Sequence, residues 1–198
     1  MMTRARLSLL FTVGILLTSL SAAWAAGPTE TVQKAIQQVF DGSAGEKSRA
    51  VPTAERRAQI RQAAESLFDF KDMARRSLGA HFEELSPADQ DEFVRLYTNL
   101  IAASYMGKVE AYAGEPIQYL DESVNGPDAR VASRLVTAKG SEVKVDYRLH
   151  RADERWTVYD VVVDGVSLVE NYRTQFSRLI QRTSFAELLK TLRAKAGS

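Results

Sequence analysis

The 198-residue chain has no cysteine and nearly balanced charge, 26 Lys and Arg against 25 Asp and Glu. Without thiols there is no disulfide framework, no thiolate metal site and no cysteine nucleophile. Near-neutrality argues against nucleic acid as a partner, since such a binder needs a basic face.

Residues 1–25 read as a secretory signal peptide. Arg4 and Arg6 form a positive start, Leu7 to Leu20 is an apolar run, and Ala23-Trp24-Ala25 supplies the small-x-small pattern of a cleavage site. The run falls short of the ~20 residues of a membrane span. The mature chain is expected to begin at Ala26 and to be a soluble periplasmic domain over residues 26–198. That length buries a core without covalent staples.

Helices come next. Val32, Ile36, Val39 and Phe40 share one face over Thr29 to Phe40, the loop-rich stretch Asp41 to Pro52 follows, and Pro52-Thr53 opens a helix carrying Ile60, Ala64 and Leu67 inward. Asp69 to Leu78 predicts a third helix with Phe70, Met73 and Leu78 inside, stopped by Gly79. Ser86-Pro87 pairs a cap with a first-turn proline and starts a long helix, whose apolar set Phe93, Leu96, Tyr97, Leu100, Ile101, Tyr105, Val109, Tyr112 runs to Gly114.

From Pro116 to Gly165 the period changes to two. Val143, Val145, Tyr147 and Leu149 alternate with Glu142, Lys144, Asp146, Arg148 and His150, as in a strand with one buried and one wet face. Ile117 to Val124 and Ala129 to Thr137 fit as partners across Asn125-Gly126-Pro127. Lys139-Gly140 and Ala152-Asp153-Glu154 fit as further turns, and Trp156 to Val163 as the last strand. Apolar residues on both parities around Asp160 predict a bulge or a central position there. Ser167-Leu168-Val169-Glu170 and Ser184-Phe185-Ala186-Glu187 are capping boxes that open two C-terminal helices. The expected fold is α+β, a curved antiparallel sheet of about four strands covered on one face by helices.

Catalytic signatures are sparse. His150 lies on a polar strand parity and His81 in a loop after Gly79, so neither has a ligand partner at helical spacing, and no metal site is expected. No serine sits in a nucleophile elbow, and Ser167 serves as a cap. No Walker or Rossmann glycine pattern occurs. Asp160 reads as a structural acceptor at the bulge; an enzyme would have to draw an acid–base pair from Asp160 with Tyr159 or Tyr172. The bulky inward set Phe70, Met73, Phe93, Tyr97, Tyr105, Tyr147, Trp156, Tyr172 and Phe176 reads, on composition, as ordinary core.

The run from Trp156 to Phe176, Trp-Thr-Val-Tyr-Asp-Val-Val-Val-Asp-Gly-Val-Ser-Leu-Val-Glu-Asn-Tyr-Arg-Thr-Gln-Phe, resembles the signature of the MlaC family, the toluene-tolerance periplasmic proteins. Phe68-Asp69-Phe70, Met73-Ala74-Arg75, Leu78-Gly79, Leu85-Ser86-Pro87, Phe93, Tyr105 and Tyr112 resemble that family's helical half in the same order. Phe82 stands where the family commonly has Trp, Asp164 where Glu is usual, and Thr183-Ser184 where a Gly often follows the helix.

The resemblance implies a non-enzymatic periplasmic phospholipid carrier without cofactor, a monomer passing lipid between an MlaA-like outer-membrane complex and the MlaD-like subunit of an inner-membrane ABC transporter. Its acyl pocket would be lined by Phe70, Met73, Phe93, Tyr97, Leu100, Ile101, Tyr105, Tyr147, Leu149, Val158, Val161, Val163, Val166, Leu168, Tyr172 and Phe176. Two alternatives stay open: a carrier of hopanoid or another polycyclic lipid, and a small dehydratase- or isomerase-like enzyme on a cone-shaped α+β scaffold.

Overall fold

The computed structural model describes residues 26–40, 53–110, 115–137, 140–153 and 155–196. The expected signal peptide, the Asp41 to Pro52 loop, the side chains of Val39 and Phe40, and Tyr112, Gly114, Lys139 and Glu154 lie outside the described residues. Among the described residues five helices come first: α1 (Pro28–Phe40), α2 (Thr53–Leu67), α3 (Phe70–Leu78), α4 (Ala80–Glu83) and α5 (Pro87–Glu110). A meander follows, β1 (Ile117–Asn125), β2 (Asp128–Val136), β3 (Glu142–Ala152), β4 (Arg155–Val163) and β5 (Val166–Ser167), and then α6 (Leu168–Arg182) and α7 (Phe185–Ala196). The sheet is antiparallel throughout, in the order β1-β2-β3-β4-β5. The two-residue β5 adds to the four expected strands.

Local chemistry sets the helix ends. The Asp69 carboxylate accepts from the Asp72 backbone N–H at 2.9 Å and starts α3, and Gly79, at φ 66°, ends it in a conformation that strains any residue with a Cβ. Ser86, Ser167 and Ser184 each accept from the N–H three residues on, the expected cap geometry. His81 is not in a loop: the chain past Gly79 closes one more turn, α4, which buries Phe82.

The bulge forms one residue before Asp160. Arg148 pairs with Asp160 and Leu149 with Val158, leaving Tyr159 as the extra residue. The slip puts Trp156 and Val158 inside on one parity and Val161 and Val163 toward the helices on the other. On the wet face Arg130 pairs with Asp146, and Arg134 with Glu142.

Burial separates into two cores. One is helical: α3, α5, α6 and α7 meet at Met73, Leu78, Phe93, Leu96, Tyr97, Tyr172, Phe176 and Leu188. The other lies between α1, the end of α2 and the sheet, at Val32, Leu67, Val131, Leu149, Trp156 and Val158. Phe68 packs against both. It is held there because the Asp69 N–H donates to the Val158 carbonyl at 2.9 Å, tying the α2–α3 junction to β4.

Candidate functional site

Between the two cores the packing opens. A cavity of about 470 Å³ is walled by Ile60, Ala64 and Phe68, by Phe70 and Met73 of α3, and by Thr98, Ile101, Ala102, Tyr105, Met106, Lys108 and Val109 of α5. Tyr147, Val161 and Val163 close it from the sheet, with Val166 and Ser167 of β5 and Leu168 and Asn171 of α6; Arg61 and Glu65 complete the wall. A second cavity of about 360 Å³ adjoins it, lined by Ala35, Ile36, Ala63, Leu67, Ile117, Ser133, Leu135 and Val145. The two share Ile60, Ala64, Phe68, Tyr105, Lys108, Val109, Tyr147 and Val163. Both volumes fall within the ~300–1,000 Å³ of ordinary small-molecule sites, and the walls are mainly apolar.

The space exists because α5 divides its apolar residues between two directions. Phe93, Leu96, Tyr97 and Leu100 are consumed in the helical core, where Phe93 meets Phe176 edge-on at 5.8 Å and Tyr97 meets Tyr172 at 5.8 Å. Ala102, Met106 and Val109, with Thr98, line the cavities, and Ile101 and Tyr105 sit at the border, touching the core and lining the larger cavity as well. Opposite them α2 offers Ala63 and Ala64, too small to reach across.

Of the residues expected in a pocket, Phe70, Met73, Ile101, Tyr105, Tyr147, Val161, Val163, Val166 and Leu168 line the larger cavity. Phe93, Tyr97, Leu100, Tyr172 and Phe176 do not: they are sealed among α3, α5, α6 and α7. Leu149 and Val158 are likewise sealed under α1 and α2, because their half of the sheet meets helices directly. Tyr105 and Tyr147 line both cavities, and Leu149 lines neither. Ala64 and Val109, which periodicity places on inward helix faces, also belong to the wall, as do Phe68, Ala102 and Met106, which periodicity does not single out.

Val163 and Val166 are 40% and 62% exposed while lining the larger cavity, so they form its apolar rim. They flank the tight β4–β5 turn, where Asp164 and Gly165 take φ 48° and 84°. Burial pushes the Tyr105 hydroxyl above its ordinary pKa. The Tyr97 hydroxyl, which accepts from Ser77 at 3.1 Å, is raised further, burial again being the leading cause.

Asp160 lies away from both apolar cavities. It is 2% exposed and accepts from Ser167 Oγ at 2.7 Å, from the Val169 N–H at 3.1 Å and from Arg148 Nη1 at 3.1 Å, fastening α6 to β4 beside the bulge. With Tyr159 it borders a polar cleft of about 410 Å³ that also presents Arg75, Arg76, Arg148 and Arg173. Tyr172 lies in the helical core instead, its hydroxyl donating to Ser104 Oγ at 3.3 Å, so Asp160 and Tyr172 do not converge on one chamber. His150 has carboxylate neighbours that linear spacing did not reveal, Asp69 at 3.1 Å and Asp72 at 3.6 Å. Among the described residues no cluster of three or more His, Asp or Glu is placed to hold a metal ion, and no helix is long and apolar enough to cross a membrane.

This fold has a solved counterpart. The phospholipid-binding protein from Ralstonia solanacearum, determined in complex with a phospholipid, superposes with a TM-score of 0.75 at 23% identity, over 84% of this chain and 95% of that one. A search of curated proteins gives no match. The family model described as MlaC protein matches residues 30–194, from the first turn of α1 to the last turn of α7, and on that match the chain belongs to the MlaC family.

Proposed function

We propose that this protein is a phospholipid carrier of the periplasm, holding acyl chains in the paired cavities between α2, α5 and the sheet. The observation that carries the reading is the cavity pair itself, two adjoining apolar chambers in a chain of the MlaC family. The lipid bound by the Ralstonia solanacearum protein of the same fold supports phospholipid as cargo.

The physics of crossing water requires such a container. Each exposed methylene costs about 0.8 kcal/mol, so a sixteen-carbon chain costs on the order of 12 kcal/mol unshielded. Phe70, Met73, Ile101, Tyr105, Tyr147, Val161 and Leu168 would surround the chains, and Val163 and Val166 would border the opening. Met73 and Met106 adapt to chains of different shape. The protein works by burial and makes no bond; the oxygens of Asp160 already serve as acceptors that hold the fold.

As a monomer exported by its signal peptide, the carrier would exchange lipid with an MlaD-like subunit of an inner-membrane ABC transporter and an MlaA-like outer-membrane complex, maintaining outer-membrane lipid asymmetry. Native mass spectrometry and lipid extraction of the protein purified from its own periplasm test the reading. A phospholipid-sized adduct is expected. A lipid-free protein that takes up no phospholipid from vesicles overturns it, and a polycyclic lipid in the extract reassigns the cargo.

A further inference from the structure

Charge at the junction of the two chambers identifies where the polar end of the cargo sits. Of the eight described residues shared by both cavities, Ile60, Ala64, Val109 and Val163 are aliphatic, Phe68, Tyr105 and Tyr147 are aromatic, and Lys108 alone is charged. Its ammonium stands 5.1 Å from the centroid of the Tyr105 ring, a cation–π contact that holds it over the chamber wall. Among the described residues no carboxylate lies within ion-pair distance of it; the neighbouring Glu110 is taken by Arg57 at 2.7 Å. The long aliphatic stem can follow the apolar wall while the charge remains at the water boundary.

A phospholipid is a fork with one phosphate and two diverging chains. Two apolar chambers that meet at a single cation have the complementary shape. We infer that Lys108 binds the phosphate of the lipid headgroup at the fork, with one acyl chain directed into each chamber. This inference rests on the carrier reading and adds to it a headgroup contact: a phosphate diester is selected over a neutral lipid with the same chains. A lone, strongly hydrated ammonium is a point charge that suits phosphate of any headgroup, so the preference is for the phosphate and not for the group beyond it.

The test compares the full chain with Lys108→Met and Lys108→Arg. Binding is measured for phosphatidylethanolamine and for diacylglycerol with identical fluorescent acyl chains, each added alone from micelles of a nonionic, phosphate-free detergent. Loss of a charge-assisted contact at a solvent boundary should weaken phospholipid binding by Lys108→Met about tenfold and leave diacylglycerol unchanged, with Lys108→Arg retaining most of the phospholipid affinity. Equal weakening of both lipids, or no change in either, overturns the inference while leaving the carrier reading intact. Wild-type protein that binds neither lipid overturns both. Calorimetry with inorganic phosphate alone separates the sources: the headgroup assignment predicts no measurable binding, and Lys108-dependent binding of free phosphate overturns it in favour of a phosphate site.

Discussion

Replacing Asp160 by Asn keeps the side-chain shape and removes the charge from the point where α6 is fastened to β4. In the wild type the carboxylate accepts from Ser167 Oγ at 2.7 Å, the Val169 N–H at 3.1 Å and Arg148 Nη1 at 3.1 Å. An amide offers one acceptor oxygen, so its NH₂ must confront either the Val169 N–H or the Ser167 and Arg148 donors. Hydrogen bonds to a charged group contribute about 1.5–3 kcal/mol each. The Arg148 side chain is 45% exposed, so its ion pair deserves a large discount for screening. A net loss of about 2–4 kcal/mol remains, which for a chain of this size lowers Tm by roughly 5–15 °C. Calorimetry measures this directly, and Ser167→Ala, which removes one neutral partner, should cost about 1 kcal/mol and couple non-additively with Asp160→Asn. Lipid content per folded molecule should not change. An unaltered Tm would refute the fastening role, and lost lipid uptake at unaltered Tm would place Asp160 at the cargo instead.

Other substitutions separate cavity from core. Ala64→Phe projects a ring into both chambers and should reduce co-purified phospholipid several-fold with Tm held or raised, measured by extraction and thermal melting; a destabilised protein with full lipid content would contradict the cavity. Phe93→Ala, at a 0%-exposed position, should cost about 3–5 kcal/mol in urea titrations with little change in slope. Burial raises the Asp72 pKa, but hydrogen bonds and charge from Arg76 and Arg75 outweigh it and hold the carboxyl below its ordinary value. A depressed acid stabilises the fold above its unfolded pKa near ~4, and that contribution disappears as pH falls through the lower folded value. The stability gap between wild type and Asp72→Asn should therefore narrow in acid denaturation profiles below about pH 4; a gap constant from neutral to strongly acid pH would contradict the pairing.

Much of the architecture could be read from side-chain chemistry. Ser86, Ser167 and Ser184 act as caps because a short hydroxyl before a helix has an obvious donor to satisfy. The alternation from Glu142 to His150 led to β3, and the mixed parity near Asp160 pointed to a bulge or a central position, of which the structure has a bulge, at Tyr159. Cavity and core could not be told apart, because periodicity records which face turns from water and not whether anything fills the space opposite. Phe93, Tyr97 and Tyr105 fall on one stripe of α5, yet the first two end in the helical core and the third at a void. Leu149 and Tyr147 share a strand face, but α1 and α2 close over Leu149 while the alanines of α2 stop short of Tyr147. Such a distinction depends on residues far apart in the chain, which a single sequence does not align.

The central claim is that acyl chains occupy the paired chambers. A phospholipid carrying a photoactivatable group near the end of one acyl chain, loaded into the intact protein and irradiated, labels whatever surrounds that chain, and peptide mass spectrometry locates the adducts. The account predicts labels on chamber walls away from the junction, Ile101, Ala102, Met106 and Val161 in the larger chamber or Ile36, Leu135 and Val145 in the smaller. Adducts confined to exposed apolar residues such as Leu120 and Val124 on β1, with none on the chamber walls, would contradict it.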